Sequence, residues 1–302
     1  MENIFDAWAE MRRTSAVSPL QEASSQNYRF IWQSWLHFLQ NCALDWPQAS
    51  SDHVRTFLQS IKPNAAKQLA PSSVSQKRYA RILREIYAFA VISALIEANP
   101  VTPASLISFT EDHESMIFPV KTWEKIKALP DYSSEQLPLC PWEAIRNNAI
   151  LHLLIFEALQ VAEIQDLLGQ DCLSEANHQV RRIAIRGVRP AQNRIVLLQP
   201  EASVALSQWL GRRASKLEEP SSLKPLFISR KQQGKLTAKS VFLIAREYLD
   251  SVLAPDEQLD RRSPGVLRNT RISEWLQNQT PEIVARKAGL QHVGSLSRLL
   301  PD

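Results

Sequence analysis

The chain has 302 residues, with 35 Lys+Arg against 31 Asp+Glu, 44% hydrophobic residues, 7 Gly, 18 Pro and 3 Cys. That balance is ordinary for a soluble chain long enough for two cores, and it excludes wholesale disorder. Cys42, Cys140 and Cys172 form no CxxC, which speaks against a disulfide framework or a zinc site, and no apolar run approaches the roughly 18 residues of a membrane span. The start, MENIFDAWAEMRR, lacks the basic-then-apolar order of a secretory signal, so a cytoplasmic protein is expected.

In chain order, Ser25 to Gln40 places Tyr28, Ile31, Trp32, Trp35, Leu36 and Leu39 at helical spacing after Ser24 and Ser25 as N-cap candidates. Ser51 to Ile61 repeats the pattern, capped by Ser51 or Asp52 and stopped by Pro63. Ser73 to Ala98 reads as one long helix or two. Residues 1–103 are therefore expected to form a small helical domain whose aromatic residues are core. Pro100, Pro103 and Pro119 frame a linker over 104–118, and 119–302 is the second domain. There, Pro119 to Ala128, Trp142 to Leu159 and Val161 to Leu168 read as helices. The period then changes: RRIAI (Arg181 to Ile185) and RIVLL (Arg194 to Leu198) are β-branched and separated by a turn-like GVRPAQN, a hairpin pattern. LFIS (Leu226 to Ser229) reads as a third strand. Glu201 to Gly211, Thr237 to Leu249, Ser263 to Leu276 and Pro281 to Gly289 return to helix. The fold class is mainly α with one small β-sheet.

The net charge of +4 hides its distribution. Residues 1–113 carry ten basic and ten acidic residues, whereas Asn177 to Arg246 holds fourteen basic residues and only Glu201, Glu218 and Glu219 as acids. Such an excess is a polyanion-binding footprint. Lys77, Arg78, Arg81 and Arg84 form a second cluster, of which at least Lys77, Arg81 and Arg84 share a helix face. With seven glycines there is neither GxGxxG nor GxxxxGK[ST], so nucleotide-binding folds lose their usual signature.

Three segments in this order resemble the tyrosine recombinases, or phage integrases, over roughly residues 20–300. SVSQKRYARILREIYAFAVISALIEANPV (Ser73 to Val101) is similar to the end of that family's helical, SAM-like core-binding domain. RNNAILHLLIFEALQVAEIQDLLGQDC (Arg146 to Cys172) is similar to its first box, built around Thr-Gly-Leu-Arg-x-x-Glu-Leu. SPGVLRNTRISEWLQNQTPEIVARKAGL (Ser263 to Leu290) is similar to its second box, with a His-x-Leu-Arg-His start and a Leu-Gly-His close. The resemblance implies a core-binding domain followed by a catalytic-type domain, closing around duplex DNA as a clamp, with no cofactor or metal.

Family members cleave DNA with a tyrosine, supported by two arginines, a histidine or tryptophan, a hairpin lysine and a further histidine. Carried over position by position, the first arginine falls on Gln160, the box-two histidine on Gly265, and the third-position histidine on Leu290, with His292 as the nearby stand-in. The hairpin lysine falls near Arg186 to Arg189, and no lysine occurs from Ala128 to Ser215. The second arginine survives as Arg268. The nucleophile falls on Leu299, or on Pro301 in the His292 register. The tyrosines are Tyr28, Tyr79, Tyr87, Tyr132 and Tyr248. Neither Ser295 nor Ser297 has an activating base beyond His292.

The expectation is a catalytically degenerate member that holds DNA through Lys77, Arg78, Arg81, Arg84, Arg181, Arg182, Arg186, Arg189, Arg194, Lys235, Lys239, Arg268 and Arg271. It would serve an active tyrosine recombinase, or another protein of a mobile element, as an accessory or architectural subunit at the nucleoid. Two other readings stay open: an active recombinase whose catalytic groups arrive in trans, and a DNA-binding regulator or protein-interaction module reusing the fold.

Overall fold

The computed structural model describes residues 4–15, 19–20, 22–61, 73–103, 117–130, 137, 139–174, 179–187, 192–217, 221–230, 234–253 and 262–299. The chain divides into two compact units, Met1–Asp112 and His113–Asp302. Residues 104–116, most of the expected linker, lie outside the described residues.

The first unit is built from α1 (Ile4–Arg13), α2 (Glu22–Asn41), α3 (Ser51–Ser60) and α4 (Ser73–Ile92). Helix α1, for which the sequence reading assigns no element, buries Ile4, Phe5, Trp8 and Ala9. Trp32, Trp35, Leu58, Ile82, Leu83, Ile86 and Tyr87 complete the core at 2% exposure or less, so the aromatic residues are packing residues. A buried indole or phenol is stabilised where its polar end finds a partner. Trp35 Nε1 donates to Tyr87 Oη at 2.9 Å, and Tyr87 Oη donates to the Trp46 carbonyl at 2.8 Å. The N-cap of α3 is Ser50, one residue before the expected cap, accepting from His53 N. Helix α4 is continuous and ends where Ala94 takes φ 54°.

The second unit contains α5 (Val120–Lys127), α6 (Trp142–Phe156), α7 (Val161–Asp166), α8 (Pro200–Ala214), α9 (Ala238–Val252), α10 (Pro264–Leu276) and α11 (Pro281–Ala288). Its sheet joins β1 (Cys172–Ser174), β2 (Val180–Ile185) and β3 (Arg194–Leu197), antiparallel, in that spatial order. Helix α6 is buried all round from Ala149 to Phe156, as its unbroken apolar run demands, and packs on α8. Helix α8 also lies against β2, where Ser203 Oγ donates to the Val180 carbonyl at 2.6 Å.

The third strand is not the expected one. Leu226, Phe227 and Ile228 are 2% exposed or less but join no sheet; Ile228 makes one isolated bridge with Lys235, and the preceding Pro225 makes one with Leu168. Trp209 Nε1 takes the Leu226 carbonyl at 3.0 Å, and Arg213 takes those of Ser221, Lys224 and Pro225. An apolar run buried on every side has a strand's composition without a ladder. The place in the sheet goes to β1, three residues with no alternation to reveal them.

A satellite core of Ala158, Ile272, Trp275, Val284, Ala285, Ala288, Leu296 and Leu299 joins α10, α11 and the 3-10 turn Val293–Leu296. No helix among the described residues is long and apolar enough to cross a membrane.

Candidate functional site

Helix α7 is capped by Gln160, whose backbone N donates to Glu163 Oε2 at 2.8 Å, a carboxylate closing the first turn. The same carboxylate faces the start of β3. Arg194 Nη1 meets Glu163 Oε1 at 2.6 Å, Arg194 Nη2 meets Oε2 at 3.2 Å, and the two side chains are 8% and 9% exposed. Arg194 Nε donates onward to the Lys287 carbonyl at 3.0 Å. Arg268 Nη2 donates to the Ala288 carbonyl at 2.7 Å, while its Nη1 donates to the Ala158 carbonyl. Two guanidiniums thus cover the carbonyl end of α11, where the helix dipole favours cations.

Gly289, at φ 68°, ends α11, and a side chain there would meet a second obstacle besides the left-handed backbone. A Cβ there would lie 2.4 Å from Arg194 Nη1. Burial pushes the Arg268 guanidinium down to about 10, with Glu163 opposing that shift and Arg194 adding to it. A hollow of about 230 Å³ opens beside this cluster, bordered by Asn193, Arg194, Arg286, Leu290 and Gln291.

Of the other positions carried over from the resemblance, Leu290 and Leu299 share the satellite core. Gly265 is exposed in the first turn of α10, His292 is exposed, and Leu290 is half-buried. Leu299 is 9% exposed within the satellite core, in company with Trp275 and Leu296, and Ser295 and Ser297 are exposed. Among the described residues the second unit holds one tyrosine, Tyr248 on α9. Its hydroxyl donates to the Ile126 carbonyl at 2.7 Å, and burial pushes it up to about 12. Tyr132, Arg189 and Pro301 lie outside the described residues.

The expected DNA contacts divide into outward and inward groups. Lys77, Arg78, Arg81 and Arg84 are exposed on α4, and Arg78 and Arg81 rest against Tyr28, the first 5.9 Å above its ring. Glu85 lies beside them, 3.9 Å from Arg81 Nε. Arg182, Lys235 and Lys239 are exposed, with Lys235 paired to Asp166, and Arg181 is half-buried. Arg186 is half-exposed and meets Asp171 at 2.5 Å.

Arg194, Arg268 and Arg271 point inward, departing from an outward hairpin and helix surface. Arg271 Nε donates to the Phe156 carbonyl at 2.9 Å and Nη1 meets Glu274 at 2.5 Å. Each inward arginine answers a carboxylate or a helix-end carbonyl that burial would otherwise leave unpaired. Sequence reasoning passed over Glu163 and Ala158. Glu163 was findable, since an acid three residues after a polar helix start is the capping-box spacing. Ala158, at the position matched to the glycine of the first box, takes a left-handed backbone at φ 49°.

No family model matches the chain. It is 23% identical over 266 residues to the tyrosine recombinase XerD of Rickettsia bellii, covering 87% of this chain and 82% of that protein. Among solved structures, XerH recombinase bound to a palindromic difH substrate superposes with a TM-score of 0.71 at 14% identity, over 92% of this chain and 76% of that one. The fold is that of the tyrosine recombinases. A lambda integrase dimer bound to a COC' core site (TM-score 0.66, 11% identity, 100% and 95% covered) shares this tyrosine-recombinase fold. So does the Tn1549 transposon integrase in complex with transposon right end DNA (0.65, 13% identity, 99% and 95% covered). The family resemblance read from the three sequence segments is supported by the fold and by these relatives.

Proposed function

We propose that this chain binds duplex DNA without cleaving it and works as an accessory or architectural subunit beside an active tyrosine recombinase in site-specific recombination or integration of a mobile element. One observation carries the reading: Arg268, the retained family arginine, is committed to the carbonyls of Ala158 and Ala288, and the neighbouring guanidinium of Arg194 is committed to Glu163. A neutral amide at Gln160 does not replace a guanidinium on a phosphate. Losing one charge-stabilising donor costs about 10²–10³ in rate. Here the nucleophile position also falls on a buried leucine, Leu299.

The outward cations support DNA binding. The α4 face of Lys77, Arg78, Arg81 and Arg84 in the first unit and Arg182, Lys235 and Lys239 in the second suit phosphate contact, and none needs a defined catalytic pKa for it. The DNA-bound relatives point the same way.

Titration of a labelled duplex at rising salt tests the reading. Several phosphate contacts give a steep linear fall of log affinity with log salt. A flat response, or no binding at about 50 mM salt, overturns it.

A further inference from the structure

The outer face of the sheet carries a feature that phosphate contacts do not explain. In the register Arg182 opposite Leu197 and Ala184 opposite Ile195, residues 183, 185 and 196 turn to the core, and Leu173, Arg182, Ala184, Ile195 and Leu197 form the opposite face. Ile195 is 62% exposed and Leu197 68% exposed, on the edge strand of the sheet. Edge strands are ordinarily guarded by charge, proline or a covering element. Here two large aliphatic side chains stand two residues apart.

We propose that Ile195 and Leu197 form an apolar wedge that enters the minor groove, unstacks base steps and bends the duplex. This rests on the duplex-binding reading and specifies what one part of that interface does. Two arguments select DNA as the occupant. The first is size: two exposed side chains fall far short of the roughly 800 Å² per partner of a stable protein interface, whereas a wedge between base steps needs only one or two apolar groups. The second is charge. Arg182 stands directly across from Leu197 on the same face, and Arg186 follows β2 at the hairpin end, half-exposed against Asp171. A narrow minor groove attracts arginine through its negative potential, so cation and wedge would be placed together.

The experiment uses the full chain and an A/T-rich duplex of about 30 base pairs, end-labelled for energy transfer and carrying 2-aminopurine at successive steps. The wild type is expected to shorten the end-to-end distance and to raise 2-aminopurine fluorescence at one or two steps. Ile195→Thr with Leu197→Thr keeps strand propensity and is expected to bind within a few-fold, with unchanged salt slope, while losing both signals. Leu197→Thr alone, the milder change, is expected to lose part of each and covers the case in which the double variant fails to melt cooperatively. Bending and unstacking equal to wild type in the variants, or wild-type binding with neither signal, overturns the wedge and leaves duplex binding standing. No duplex binding by the wild type overturns both.

Discussion

Arg194 and Glu163 meet as a two-point pair, with contacts of 2.6 and 3.2 Å between side chains that are each under a tenth exposed. The pair ties the start of β3 to the first turn of α7, and through Arg194 Nε to the end of α11. Removing one partner leaves the other charged and buried, which costs about 3–5 kcal/mol. Arg194→Ala is therefore expected to lower the unfolding free energy, read from denaturant melts, by that amount. Adding Glu163→Gln should recover much of the loss, because the neutral amide oxygen still accepts from Gln160 N. Strictly additive losses in the double variant would show that the two groups are not coupled.

Among the described residues, three alanines occupy the left-handed region: Ala43 (φ 56°), Ala94 (φ 54°) and Ala158 (φ 49°). That conformation costs an L-residue about 1–2 kcal/mol, less the extra entropy glycine loses on folding. Ala43 and Ala94 are exposed, so Ala43→Gly and Ala94→Gly are each expected to stabilise by about 0.5–1 kcal/mol. Ala158 is fully buried, and its methyl is worth about 0.8 kcal/mol of burial, so Ala158→Gly is expected to be close to neutral. Thermal melts of the three single variants check the ordering.

Glu157 is 1% exposed, accepts from Gln199 N at 2.6 Å through Oε1, and has no hydrogen-bond partner at Oε2 among the described residues. Burial raises its pKa, against the lowering influence of the Gln199 hydrogen bond, Arg271 and Lys287. The folded state therefore holds the proton more tightly than the unfolded chain. This contribution is full below the ordinary carboxylate range and is lost as pH rises through the folded value. Glu157→Gln is expected to raise Tm more at about pH 7 than at about pH 4. An equal shift at both would contradict the assignment.

Phosphate contacts are counted by salt dependence. Arg81→Ala with Arg84→Ala, or Arg186→Ala with Arg189→Ala, is expected to weaken binding to every duplex and to reduce the salt slope by roughly one per lost contact. Arg268→Ala is expected to lower thermal stability and leave the salt slope unchanged, because its guanidinium already serves Ala158 and Ala288.

The helices were legible because their apolar periodicity coincides with burial, as in α2, with Trp32 and Trp35 at its core. The hairpin was legible from its β-branched runs. Strand β1 was not, since three residues carry no period, and LFIS misled because complete burial imitates a strand. Helix α1 was passed over although Ile4, Phe5, Trp8 and Ala9 mark one face. At the site, residue types were readable but their direction was not. Arg194 looked like the other hairpin arginines, and only the fold brings Glu163, 31 residues earlier, and Lys287, 93 residues later, against it. Long-range partners of that kind decide whether an arginine serves DNA or the protein itself.

Binding without cleavage is decided on a nicked, phosphate-labelled suicide duplex, because cleavage of such a substrate traps the covalent protein–DNA intermediate. The chain alone is expected to shift the labelled duplex on a native gel and to leave no labelled protein after denaturation. A denaturation-resistant labelled adduct formed by this chain alone would show that it cleaves DNA.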